Sequence, residues 1–265
     1  MIVCLVVAAL FLSVAMAVAA GWAIRTGKSG LIDATWSLAV GAACCAAAIW
    51  PMFASDVTAR RWLVAAMTFA WSARLGSYIF RRSSGAEDDP RYADLKKGWG
   101  ADAPRQLFLF LQAQAVAGWP LVVAAMLAAH SPSPGLGWLD GLGASVFVIG
   151  LGGEALADRQ MARFRADPGN RGGICEVGLW AYSRHPNYFF EWMCWLGLAV
   201  MAADCDGARP WGWLAFAAPA TMYWLLAHVS GAPPLEAHLQ RSRPEAFADY
   251  RARVPMFWPR VPQRT

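Results

Sequence analysis

No Lys, Arg, Asp or Glu occurs from Gln106 to Leu139, and none among the first 24 residues. A chain this free of charge over such lengths is built for an apolar solvent, because about 20 predominantly apolar residues suffice to cross the hydrocarbon of a bilayer. Leu31 to Ser55 is interrupted only by Asp33, and Trp62 to Phe80 only by Arg74. Three further uncharged runs cover 141–153, 192–203 and 211–229. Only helices and closed barrels satisfy their backbone in lipid, and these runs lack the alternation of barrel strands. The pattern predicts an all-α integral membrane protein with seven transmembrane helices, roughly 2–24, 31–53, 62–80, 107–129, 136–157, 188–203 and 211–229. The sixth is short. The whole chain, 1–265, reads as one multi-spanning domain with a short tail from about 232.

Composition agrees: 57% of the residues are hydrophobic, 15 are Trp, and 15% are charged, where a soluble domain carries about 25%. The net charge of +5 is mostly a topology signal. Lys and Arg crowd three regions: 81–105, 158–187 and the tail from Arg241 to Arg264. Of the alternate loops, 130–140 holds none and 204–210 only Arg209. The positive-inside rule puts the basic regions in the cytoplasm, with the N-terminus outside and the C-terminus inside, in a membrane of the bacterial inner-membrane type. Arg60 and Arg61 oppose this assignment. A nucleic-acid partner would need a basic face on a soluble domain, and none is legible. The six Cys sit mostly in predicted spans without a C-x-x-C pair, and read as apolar fillers rather than disulfides or metal ligands.

Ionisable groups inside spans are the exceptions that carry information, since a charge near the bilayer centre costs about 2.5–3.5 kcal/mol even on lenient scales. Asp33, Arg74 with Tyr78 four residues on, Glu154 with Asp158, and Glu191 all fall toward the cytoplasmic side. Their shared depth predicts one polar cavity opening to the cytoplasm. Simpler roles stand beside this one: Asp33 capping its helix, or Arg74 snorkelling or pairing with Asp33. The stretch GLWAYSRHPNYFFE, 178–191, sharpens the functional reading. Tyr182, Arg184, His185, Asn187, Tyr188 and Glu191 gather around Pro186 at a helix start. A guanidinium can fork onto a phosphate, and Asn187 and Glu191, four apart, can meet one flat amide-bearing ring. The alternative is a polar helix start decorated with interfacial aromatics.

These residues, with LIDATW, WSARLGSY, EDDPRY, GEALADRQMARFR and the tail PLEAHLQRSRPEAFADYRARVPMFWP, resemble the steroid 5-alpha-reductase-like superfamily of membrane enzymes, in its bacterial branch of undefined function. RHP-x-Y alone is shared with membrane methyltransferases of isoprenylcysteine and phospholipid amines. The acid four residues after Asn187 is similar to the reductases. The resemblance implies that Asn187 and Glu191 hold the nicotinamide end of NADPH. It also places Arg74, Tyr78, Asp158, Arg165 and Arg171 near the cofactor, the arginines on phosphates and Asp158 on a ribose or base. Asp33 matches the Glu with which the steroid enzymes grip a substrate carbonyl. Their partner Tyr is Trp71 here, and Glu154 stands where they carry Asn.

The expectation is therefore an NADPH-dependent reductase of a C=C bond in a lipophilic, enone-like substrate. The substrate enters from the bilayer among membrane lipids, and Asp33 is the acid, with Tyr78 next. A lipid or prenyl-thiol methyltransferase using S-adenosylmethionine, and a non-catalytic lipid-binding protein, are the alternatives.

Overall fold

The protein is described by a computed structural model covering residues 1–51, 58–83, 89–131, 135–203 and 210–261. Ser133, Arg209, Arg264 and Thr265 lie outside the described residues, as do Glu87 and Asp88 of EDDPRY. The helices are α1 (Ile2–Thr26), α2 (Ile32–Ile49), α3 (Ala59–Ser83), α4 (Pro90–Trp99), α5 (Ala103–Ala129), α6 (Trp138–Ala166), α7 (Pro186–Ala202), α8 (Ala217–Trp224), α9 (Ala232–Ser242) and α10 (Pro244–Arg253). No strand occurs among the described residues.

The chain divides into two compact units, one of Met1–Ala144 with Leu198–Ala218, the other of Ser145–Gly197 with Pro219–Thr265. In the first unit α2 packs against α1, α3 and α5, and α1 also packs against α5. Lipid tails are as apolar as the side chains, so helix association there depends on close packing and interhelical hydrogen bonds. Both are present. A Cβ on Gly41 of α2 would lie 2.1 Å from Ser72 Cβ on α3, so only glycine lets these backbones approach. Ser72 Oγ in turn donates to Ser37 O at 3.0 Å. Ser13 Oγ on α1 donates to Gln112 Oε1 on α5 at 2.7 Å, and Gln112 Nε2 returns a bond to Ser13 O at 3.2 Å. On α1, Leu12 and Met16 are buried while Val6, Leu10, Val14 and Val18 are exposed. A helix apolar on every face is the pattern of a membrane segment.

Arg60 and Arg61, the two arginines that oppose the charge rule, are accounted for by packing in this unit. Arg60 Nε donates to Asp140 Oδ1 at 2.9 Å, and its Nη2 reaches Asp140 Oδ2 at 2.5 Å and Gly135 O at 2.7 Å. Arg61 donates to Ala48 O at 3.1 Å and to Trp50 O, the carbonyls at the end of α2. Cations at a helix C-terminus satisfy its orphan carbonyls. Both arginines are buried.

In the second unit α6 and α7 make a backbone-close contact. A Cβ on Gly150 would lie 2.7 Å from Phe190 O, and one on Gly153 would lie 2.3 Å from the Phe190 ring. The segment 180–185 is stitched to the end of the chain. Arg184 N donates to Pro255 O at 2.9 Å, His185 N to Met256 O at 3.2 Å, and Arg260 N to Tyr182 O at 2.9 Å. Tyr250 Oη on α10 donates to Trp180 O at 2.7 Å. Residues 232–261 thus pack as part of this unit.

Five helical stretches are long and apolar enough to cross a membrane: Ile2–Thr26, Ile32–Ile49, Ala59–Ser83, Arg91–Ala129 and Trp138–Ala166. They correspond to the first five predicted spans. The expected sixth and seventh take a different form. α7 has 17 residues, about 26 Å of rise against a hydrocarbon layer of about 30 Å. The 211–229 run is broken into a 3-10 stretch at Pro210–Phe216, then α8, then a π-helical turn at Leu225–Val229. Hydropathy registers the composition of such a run but not the change of hydrogen-bond period within it.

Candidate functional site

The opening of α7 is held from three sides, and Glu236 on α9 is the centre of the arrangement. Arg184 Nε donates to Glu236 Oε1 at 2.8 Å and Arg184 Nη2 to Glu236 Oε2 at 3.1 Å, a forked pair. Arg184 Nη1 donates to Val254 O at 2.6 Å and to Arg251 O at 3.4 Å. Four of the five N–H donors of Arg184 are thereby directed at protein acceptors. Arg184, expected to fork onto a phosphate, forks onto a carboxylate in this structure. It ties the 178–191 stretch to α9 and to the end of α10, and the carboxylate it forks onto is the protein's own.

His185 shares the same carboxylate. Its Nε2 lies 3.0 Å from Glu236 Oε1, and its ring stacks on Tyr188 at 5.3 Å. Burial lowers the His185 imidazole below its ordinary range, against the pull of Glu236. For Glu236, burial opposes ionisation, but the bonds from His185 and Arg184 outweigh it and bring the carboxyl down to about 2. A neutral imidazole donating Nε2–H to a carboxylate fits both shifts.

Just beyond this clasp, Asn187 stands in the first turn of α7. Its Oδ1 is buried and accepts no hydrogen bond among the described residues. A buried amide oxygen without a donor is uncommon in a finished core. Glu191, one turn further on α7, is buried, as are Glu154 and Asp158 on α6. Gly150, which touches α7, begins the helical ridge that continues through Glu154 and Asp158 at intervals of four. Three buried acids on two helices in backbone contact are costly in an apolar unit. Arg165, Arg171 and Tyr182 are exposed in the same unit. Phe189, Trp192, Tyr223, Phe257 and Trp258 form one aromatic cluster, with Trp192 and Trp258 5.1 Å apart and Tyr223 and Phe257 5.0 Å apart.

Asp33, Arg74 and Tyr78 belong to the first unit. Asp33 does not cap α2 with its side chain, and its partners are Arg91 and Tyr92 rather than Arg74. Its Oδ2 accepts from Arg91 Nη2 at 2.5 Å and its Oδ1 from Tyr92 Oη at 2.8 Å. Arg91 also chelates Asp89, at 3.1 Å through Nε and 2.8 Å through Nη2. Arg74 lies 5.9 Å from the centre of the Tyr78 ring, and Arg82 sits at the same distance. Trp71 is buried and meets Trp36 edge-on at 6.4 Å.

Glu236, Arg91, Tyr92 and Gln114 are the residues that the pattern did not single out. Glu236 sits in PLEAH and Tyr92 in EDDPRY, both visible as motifs. Nothing in their spacing says which distant cation or carboxylate they meet, since the sequence separations are 52 for Arg184–Glu236 and 59 for Asp33–Tyr92.

A family model described as "Protein of unknown function (DUF1295)" matches residues 20–254, which is most of the chain, so the chain belongs to that family. No curated protein matches, and no solved structure matches.

Proposed function

We propose that this member of the DUF1295 family is an NADPH-dependent membrane reductase that saturates a C=C bond in a lipophilic, enone-like substrate. The observation that carries the reading is the buried, donor-less Oδ1 of Asn187 with Glu191 one turn away. A nicotinamide carboxamide offers the N–H group such an acceptor needs. Exposed Arg165 and Arg171 suit the phosphates, and the buried carboxylate of Asp158 suits a ribose or base. Arg184 and His185 contribute by fixing where α7 begins. When bound, the nicotinamide supplies the hydride; the residues of this chain bind and orient it.

The reading also takes α7 and the 210–229 segment as membrane-embedded, which brings the spans to seven, with the N-terminus outside and the C-terminus in the cytoplasm. The capture of Arg60 by Asp140 and of Arg61 by the end of α2 supports this orientation, since arginines with fixed partners weigh less in a charge count. A reporter fused after Thr265 is expected in the cytoplasm. An extracellular signal from it would put the cofactor site on the wrong side for NADPH.

The cofactor is tested directly on protein purified in detergent. A ligand that binds only the native state stabilises it by about 2.7 kcal/mol at 100 times its Kd. NADPH is expected to raise Tm, and Asn187→Ala to remove most of that shift while leaving the Tm of the cofactor-free protein nearly unchanged. Stabilisation by S-adenosylmethionine, with none by NADPH, would instead establish the methyltransferase reading.

A further inference from the structure

The first unit carries a second incompletely satisfied polar group, and it is unrelated to the nicotinamide reading. Gln114 lies in α5, within a stretch long and apolar enough to cross a membrane, with exposed Ala113 and Val116 on either side of it. Its Nε2 donates to Tyr92 Oη at 3.2 Å. Tyr92 Oη passes its own proton toward Asp33 Oδ1 at 2.8 Å. The chain of donors therefore runs in one direction, from Gln114 through Tyr92 to Asp33, and it fixes the amide orientation. A flipped Gln114 would turn its oxygen to a Tyr92 hydroxyl already donating elsewhere. In the orientation so fixed, Gln114 Oε1 is buried and accepts no hydrogen bond among the described residues. The backbone carbonyl of the same residue is already used by Trp36 Nε1, at 2.9 Å.

The surroundings are apolar and aromatic. Phe110, one turn before Gln114, packs edge-on against Tyr92 at 6.2 Å and lies 6.1 Å from Trp99. Trp36 and Trp71 stand together behind Gln114. An aromatic wall with one unsatisfied acceptor selects a ligand that is mostly hydrocarbon and carries one donor. A ketone or an ether cannot satisfy Gln114 Oε1, because neither has a hydrogen to give. A hydroxyl can.

We propose that Gln114, positioned by Tyr92 and Asp33, is a binding site for the hydroxyl group of a lipophilic alcohol. The alcohol donates its proton to Gln114 Oε1, and its hydrocarbon lies along the Phe110, Trp99 and Trp36 side. The proposal stands whether or not the protein is a reductase, since it uses no contact with the second unit and no cofactor.

The test is a binding measurement on the full chain in nanodiscs with two pairs of probes: farnesol and its methyl ether, and cholestanol and its methyl ether. At least one alcohol is expected to bind about tenfold tighter than its ether, as the loss of one buried hydrogen bond implies. Gln114→Leu, which keeps the bulk and removes the acceptor, is expected to erase that preference without changing NADPH-induced stabilisation. Equal affinity for alcohol and ether, or a preference that survives Gln114→Leu, would overturn the proposal. So would the absence of binding by either alcohol, which would leave the acceptor to a buried water. Should Gln114→Leu fail to fold, the alcohol-against-ether comparison on the unaltered protein decides by itself.

Discussion

Glu236→Ala is expected to destabilise the second unit by at most about 3–5 kcal/mol, the cost of removing one partner from a fully buried ion pair, since Arg184 is buried and Glu236 partly so. Arg184 would keep its bonds to Val254 and Arg251 but lose the forked carboxylate, leaving a buried cation uncompensated. His185 would lose its acceptor at the same stroke. Glu236→Gln, which retains an oxygen for one donor, should fall between. Thermal denaturation in detergent measures the difference, and tryptic cleavage at Arg241 and Arg243 should quicken as α9 loosens. An unaltered Tm for Glu236→Ala would show that the clasp is decoration. Acid should act on the wild type through the same groups. His185 is depressed below its ordinary 6.5 by burial, so its contribution is full above 6.5 and declines as the pH falls below it. Glu236 is depressed from 4.5 to about 2, so its contribution is full above 4.5 and is lost as the pH falls from there toward 2. Both slopes have the same sign: the protein weakens on acidification. Glu236→Gln should flatten the lower part of that profile.

Asp33→Asn is expected to behave in the opposite way, folding normally and losing activity. On the reductase reading, general acid–base assistance is worth about 10²–10⁴-fold, so turnover should fall by that factor while NADPH stabilisation persists. The stability cost should be small because Arg91 retains Asp89 as an ion-pair partner when Asp33 is neutralised. Had Asp33 been the sole counter-ion of a buried cation, folding and chemistry would fail together and the experiment could not separate them. Turnover at the wild-type rate by Asp33→Asn would remove Asp33 from the reaction. Tyr92, whose hydroxyl already points at Asp33, would then be the acid to test before Tyr78, whose ring lies near two guanidinium groups.

The contrast between these two carboxylates also shows what each level of description contributes. The amino-acid sequence by itself determined the solvent, the helices and the motif. Long runs without charge admit few solutions in lipid, and the existence and approximate place of α1, α2, α3, α5 and α6 follow from them. It also determined that Asn187 and Glu191 share one helix face, because a separation of four residues is a property of the helix. Tertiary structure alone decided the partners. Arg184 looks like a phosphate ligand in one dimension and is held by Glu236 in three. Asp33 looks like a mate for Arg74 and instead meets Arg91 and Tyr92. The 211–229 run looks like one span and changes from 3-10 to α to π. Local pattern encodes which face a side chain occupies. Which charge neutralises it depends on contacts between residues more than 50 apart, and these exist only once the helices have packed.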